Sequence, residues 1–170
     1  MKAAIYTRYG GPDVVRVRDI PRPTPKATEI RVRVTVTSVT TADWRLRAAA
    51  FPGIMALPGR AMFGLFRPRN PVLGLEFAGV VDAVGAEVTR FVPGERVFGF
   101  ASNGGAHADY LTLDQGGAVV HTPETLDDAG AAALPFGGIA ALVFLRDIAR
   151  LTPGKEVLVL GGSGGVGVYA

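Results

Sequence analysis

Apolar and polar residues alternate most cleanly from Ile30 to Ser38, with Ile30, Val32, Val34 and Val36 on one side and Arg31, Arg33, Thr35 and Thr37 on the other. A period of two predicts a half-buried β-strand. Weaker versions of the pattern predict strands over Lys2–Tyr9 and Val14–Ile20, separated by a turn at Gly10, Gly11 and Pro12, with Pro21–Pro25 as a stiff connector. Further strands are predicted at Glu76–Val84, Arg96–Phe100, Ala108–Leu113 and Ala118–His121, with turn residues at Ser102–Gly105. Short strands bounded by glycines predict a small antiparallel barrel or sandwich.

After Pro123 the period lengthens. Thr125–Asp128 reads as a capping box opening a helix through Ala133, Pro135 breaks it, and a second helix follows over Gly138–Arg150, with Ile139, Leu142, Val143 and Leu145 at helical spacing. Then Val157–Leu160 is apolar without alternation, as in a strand buried on both faces of a parallel sheet. It leads directly into glycines. Gly162, Gly164 and Gly167 fit G-x-G-x-x-G, a spacing that gives a tight turn, a close backbone approach to a pyrophosphate and close helix packing. Together with Gly165 and Val166 they are the candidate cofactor-binding residues, and a structural turn is the alternative in a chain with 23 glycines. Val168 and Tyr169 stand where a Walker A loop needs lysine and Ser/Thr, so that loop is excluded.

Two polar or mixed stretches lie between the strands. Ser38–Arg47 follows the strongest strand, where loops often carry function; Thr40, Thr41 and Asp43 there could bond a ligand, and the alternative is a helix N-cap at Thr41 or Asp43. From Arg45 to Arg69 the chain has five arginines and no acid, interspersed with Phe51, Met55, Leu57, Met62, Phe63, Leu65 and Phe66. Glycines and prolines interrupt any long helix. The segment reads as a flap over an apolar pocket, in which Phe63 and Phe66 would select the ligand; a membrane-surface segment is the other reading.

Composition narrows the class. With 170 residues, 48% hydrophobic and 19% charged, the chain can bury a core and should hold one domain plus part of another. No charged-then-apolar leader and no run of 18 apolar residues is found, so a cytoplasmic protein without an integral membrane segment is expected. The absence of cysteine excludes disulfides and thiolate metal sites. A formal charge of +3 gives no case for nucleic acid.

Five stretches in order, MKAAIYTRYGGPDVV, TTADWRLR, PVLGLEFAGVVDAVGAEVTRFVPGERVFG, GGAHADY and LTPGKEVLVLGGSGGVG, resemble the N-terminal half of the medium-chain dehydrogenase/reductase superfamily, in its zinc-independent quinone oxidoreductase-like branch. The resemblance implies a mainly β GroES-like barrel followed by the first strand and helix start of a truncated α/β Rossmann domain. Residues 1–122 would be the barrel and 123–170 the linking helices and incomplete NAD(P)-binding domain. It implies NADPH as cofactor, NADH being the alternative, hydride transfer to a quinone or α,β-unsaturated carbonyl, and a homodimer at full length.

The resemblance also bears on the site. Zinc-dependent relatives carry a cysteine in the loop matching Thr40 and Thr41 and a histidine before Glu76, where this chain has Leu75. With no metal, Glu76 is expected to make structural bonds under the site, and His107 and His121 to be surface or turn residues. Thr40 stands where quinone reductases often have Asn, and Asp43 matches the Asp of their N-x-x-D pattern; these two are the candidate catalytic residues, as positioners. Trp44 and Arg45 follow where a tyrosine is common, and Ala140 stands for a usual threonine, which leaves water or a cofactor hydroxyl as proton donor. Alone, the 170 residues are expected to be inactive and to bind NADPH weakly, with the tail beyond Thr152 mobile or docked in a minor role. A GroES-like binding module and a truncated non-catalytic product are the competing readings.

Overall fold

The alternating segments pair as antiparallel strands. In the computed structural model, which describes residues 1–170, they are β1 (Lys2–Ile5), β2 (Arg16–Asp19), β3 (Glu29–Thr37), β4 (Glu76–Val84), β5 (Arg96–Phe100), β6 (Tyr110–Asp114) and β7 (Val119–His121). β1 and β2 form one pair, and the other five lie in the order β6-β3-β4-β5-β7. Bridges from Ala3 to Ala108 and from Ile5 to Val72 join the pair to the larger sheet. The first two strands are shorter than their pattern. After Ile5 the chain turns to pair with the segment before β4, Tyr6 N–H donating to the Pro71 carbonyl at 2.9 Å, and Pro12–Val14 is a 3-10 turn.

The register puts the apolar side of β3 inward. Ile30 and Val32 lie between Val84 and Val81 of β4 and Leu113 and Leu111 of β6. Ile30, Val32, Phe77, Val81, Val97 and Val119 are fully buried in one cluster with Phe91 and Leu111. Each such side chain gains about 1.5–3 kcal/mol by leaving water, so this cluster is the main stabilising element. On the polar side, Arg31 pairs with Asp82 at 2.6 Å, and Arg22 reaches the same carboxylate at 2.5 Å while lying 3.7 Å above the Tyr110 ring.

There are three helices, α1 (Thr41–Ala48), α2 (Ala56–Phe63) and α3 (Asp128–Leu142), and of these α3 packs on β3, β4 and β5. The break expected at Pro135 does not occur. α3 begins at Asp127, whose carboxylate accepts from Gly130 N–H at 2.7 Å, passes through Pro135, and continues as a wider π-helical turn over Val143–Ile148. Proline has no N–H and its ring crowds the preceding turn, and β4 takes up the neighbouring donor: the next amide, on Phe136, donates to the Glu76 carboxylate at 2.6 Å. Ala131 and Ala132 pack on Ala78 of β4, and Asp128 ties the helix to two strands through Thr35 and Arg96, each at 2.6 Å. Asp128–Ile148 is 21 residues long and apolar enough by length and composition to cross a membrane; here its small residues pack on the sheet.

The strand expected at Val157–Leu160 is not formed. No strand of either sheet lies beside it, and Leu158 and Leu160 are exposed. A parallel strand of this composition needs neighbours on both edges and helices on both faces.

Candidate functional site

Ser38 and Val39 link β3 to α1, and three sets of bonds fix that link. The Ser38 hydroxyl donates to the Glu76 carboxylate, and its carbonyl accepts from His107 Nε2–H at 2.9 Å. Thr40 is the N-cap of α1 and Asp43 its third residue, so the Asp43 carboxylate reaches back to accept from the Thr40 amide at 2.8 Å and the Thr40 hydroxyl at 3.0 Å. This is the backward half of a capping box. The other Asp43 oxygen accepts from Gly74 N–H at 3.0 Å, tying α1 to the segment before β4.

Asp43 is 3% exposed and Glu76 2% exposed. Each carboxylate is held by two or three donors, the arrangement that makes a buried charge tolerable. Neither faces a cavity as a free acid or base. Asp43 positions Thr40, whose hydroxyl donates to the carboxylate and so has only acceptor capacity left. Glu76 makes hydrogen bonds under the site, as the sequence led us to expect, through Ser38 and Phe136.

The end of the chain returns to this loop. Ser38, Val39, Thr40, Thr41 and Glu76 form one wall of a cavity of about 460 Å³; Ala133, Phe136 and Gly137 of α3 form a second, and Gly165, Val166, Val168 and Tyr169 a third. Tyr169 donates its hydroxyl to the Ala133 carbonyl at 3.0 Å. Gly137 is required here because a Cβ would overlap the Gly165 carbonyl and the Tyr169 ring. Of the predicted cofactor residues, the structure brings Gly165 and Val166 to the cavity beside Thr40. Gly162, Gly164 and Gly167 form the turn behind them: Gly164 N–H donates to the Gly161 carbonyl at 2.8 Å, and a Cβ on Gly167 would overlap that same oxygen. The amides of Gly162, Ser163, Gly165 and Val166 donate to no group of the protein. Successive amides left free on a turn are open to water or to an anion.

Phe136 and Gly137 were not singled out in the sequence, although a proline inside an apolar helix beside two glycines was the available signal. The histidines divide. His121 is an exposed partner of Glu95 at 3.1 Å, whereas His107 is half-buried and holds the Ser38 carbonyl. No three His, Cys, Asp or Glu side chains are grouped to hold a metal.

The basic flap lies over a different cavity. Phe63 stacks on Phe51 with centroids 5.8 Å apart and, with Met62, lines a space of about 440 Å³ that shares no residue with the Thr40 cavity. Phe66 is 88% exposed and lines an outer groove with Arg67 and Arg69. The two phenylalanines thus have separate surroundings.

Residues 26–151 match the alcohol dehydrogenase GroES-like domain. The chain belongs to that family. It resembles the quinone oxidoreductase of Pseudomonas aeruginosa, 34% identical over 165 residues that make up 97% of this chain and 46% of the relative. Among solved structures it superimposes on a quinone oxidoreductase of Pseudomonas syringae pv. tomato with TM-score 0.81 and 30% identity, covering 98% of this chain and 47% of the other. An NAD-dependent alcohol dehydrogenase gives TM-score 0.84 at 27% identity, over 99% and 53%. These neighbours place the GroES-like domain in the medium-chain dehydrogenase/reductase superfamily, and the chain spans about half the length of the curated relatives it matches.

Proposed function

We propose that this chain forms the acceptor side and the first phosphate-binding turn of a nicotinamide-dependent oxidoreductase acting on quinones or α,β-unsaturated carbonyls. Residues 1–122 would be its substrate domain and 123–170 the start of its cofactor domain. The observation that supports this reading is the unpaired-amide turn at Gly162–Val166 standing beside the Thr40 loop across one cavity. A dinucleotide fits this arrangement: Gly162, Gly164, Gly165, Val166 and Gly167 would take its pyrophosphate. NADPH is the proposed cofactor, with NADH as the alternative, and it supplies the hydride.

The chain's own residues position and shield. Thr40, fixed by Asp43, presents hydroxyl lone pairs to the cavity, where they orient a donor group of the reacting pair. Phe136 and Val39 form apolar walls, and Glu76 holds the loop and α3 at fixed separation through Ser38 and Phe136. No side chain here is a free acid, so the acceptor's proton comes from water or a cofactor hydroxyl. The donor set does not fit a catalytic zinc: Thr40, Thr41 and Leu75 offer no soft ligand, and Glu76 already has its partners. A cytoplasmic location and a homodimer of the longer protein complete the proposal.

The test is NADPH oxidation by a protein that carries this chain together with the remainder of a cofactor domain, with p-benzoquinone and an enone as acceptors. Turnover that survives dialysis against a chelator, and a fall of at least tenfold in kcat/KM for Thr40→Val, are the expected results. Stoichiometric zinc in an active sample, or no hydride transfer to either acceptor, would sink the reading.

A further inference from the structure

The cavity beneath α2 has a composition that its packing role does not require. Leu46, Met62, Phe63, Val72 and Leu73 give it apolar walls. Tyr6 also lines it, is only 4% exposed, and its hydroxyl makes no hydrogen bond within the protein. The ring is buried but the hydroxyl is not cut off from solvent, so it is free to donate to a ligand in the cavity. Burial, with Tyr9 and Asp43 nearby, pushes its pKa up to about 12, so it remains a donor. Arg69 stands at the same cavity and takes part in none of the eight ion pairs.

Nothing in the lining neutralises these donors. Asn70 is satisfied, its side-chain oxygen accepting from Val72 N–H and its amide donating to the Asn103 carbonyl. The nearest buried carboxylate, Asp43, is held by Thr40 and Gly74. The flap is fixed in place over the cavity: Arg69 N–H donates to the Phe63 carbonyl at 2.9 Å, and Tyr9 donates to the Gly64 carbonyl at 2.5 Å.

We infer that this cavity, between the α2 flap and Tyr6, is a binding site for a small aromatic carboxylate, separate from the Thr40 cavity. The guanidinium of Arg69 takes the carboxylate, as its planar donors suit. The Tyr6 hydroxyl donates to the same group, and the ring lies against Phe63, Met62 and Leu73. A volume of about 440 Å³ accommodates such a ligand.

Benzoate is the probe, titrated into the 170-residue chain by calorimetry, with benzamide as its uncharged counterpart. Saturable benzoate binding is expected, with benzamide at least tenfold weaker. Tyr6→Phe keeps the ring and removes the donor, and should weaken benzoate about tenfold; Arg69→Gln, at an exposed position, should weaken it more. Magnetisation transfer from the Met62 methyl group to the benzoate ring locates the ligand in the unmodified chain, even where a variant fails to fold. No binding, equal binding of benzamide, indifference to both substitutions in folded protein, or loss of binding on Thr40→Val would each overturn the assignment. The last of these would move the ligand to the other cavity.

Discussion

Glu76 shows how one buried side chain can serve two elements. Its two oxygens accept from Ser38 and from Phe136 N–H, so it holds both the loop that presents Thr40 and the proline-interrupted turn of α3. Glu76→Ala leaves two donors unpaired in a site that is 2% exposed, and should cost about 2–5 kcal/mol, as unsatisfied buried donors do. Glu76→Gln retains one acceptor and should cost less than half of that. Urea unfolding midpoints measure both; equal midpoints for the Ala variant and the parent would show that the bonds contribute nothing. Asp128 gives the residue scale a pH signature. The Thr35 hydroxyl first, then Arg96, holds its carboxyl below the ordinary carboxylate range despite partial burial. The folded state therefore takes up this proton at lower pH than the unfolded chain does. Its stabilising contribution is complete above the unfolded pKa, about 4, and is lost as pH falls through the folded value. Asp128→Asn should lower the melting temperature at neutral pH and leave a shallower decline between about pH 4 and the acid limit. An unchanged acid slope would assign the loss of stability to other carboxylates.

At the scale of elements, what was legible depended on whether neighbours in space matched neighbours in sequence. β4 and β5 were predicted to their end residues, and β3 to within one at each end, because β3 alternates apolar and polar residues and glycines and prolines bound β4 and β5. Pro135 was misread because its compensating partner, Glu76, lies 59 residues earlier and leaves no local trace. Thr125–Asp128 was misread by two residues because Asp127 competes for the same cap, and its carboxylate has the Gly130 amide at 2.7 Å. Of the site, the helix start after β3 was legible, but the cap was expected at Thr41 or Asp43 and is Thr40, with Asp43 bonding back to it from the first turn. The cavity was not legible, since α3 and the tail meet there through a close approach at Gly137 and one bond from Tyr169 to a backbone carbonyl, neither of which leaves a pattern in the sequence. Gly137 tests that contact. Gly137→Val would place a side chain against the Gly165 carbonyl and Tyr169, so the tail must lift away while the sheet is unaffected. Hydrogen exchange of residues 165–170 should rise to the level of the exposed 155–160 segment with little change in β3 and β4. Protection unchanged in 165–170 would show that the close approach does not hold the tail.

The whole molecule has two surfaces of unlike character on one GroES-like frame. The antiparallel sheet and its core are internally complete, with every strand of the larger sheet paired. Around α3 and the tail, by contrast, Phe136, Ile139, Leu142, Phe144, Ile148, Leu158 and Leu160 lie exposed. The chain spans about half the length of its curated relatives. The cofactor prediction follows from the same division. In these 170 residues a dinucleotide would meet four free amides on an exposed turn, at Gly162, Ser163, Gly165 and Val166, and little enclosing surface. Each amide contributes about 0.5–1.5 kcal/mol net, hence roughly 2–6 kcal/mol together, against an association cost of about 4 kcal/mol or more. The difference is at best about 2 kcal/mol, an affinity of roughly 30 mM. Calorimetric titration of the chain with NADPH and with NADH should therefore show no saturation below about 1 mM. Micromolar binding of either nucleotide by the monomer would mean that the glycine turn and the Thr40 cavity already hold the adenosine and nicotinamide ends, and the division of labour argued here would be wrong.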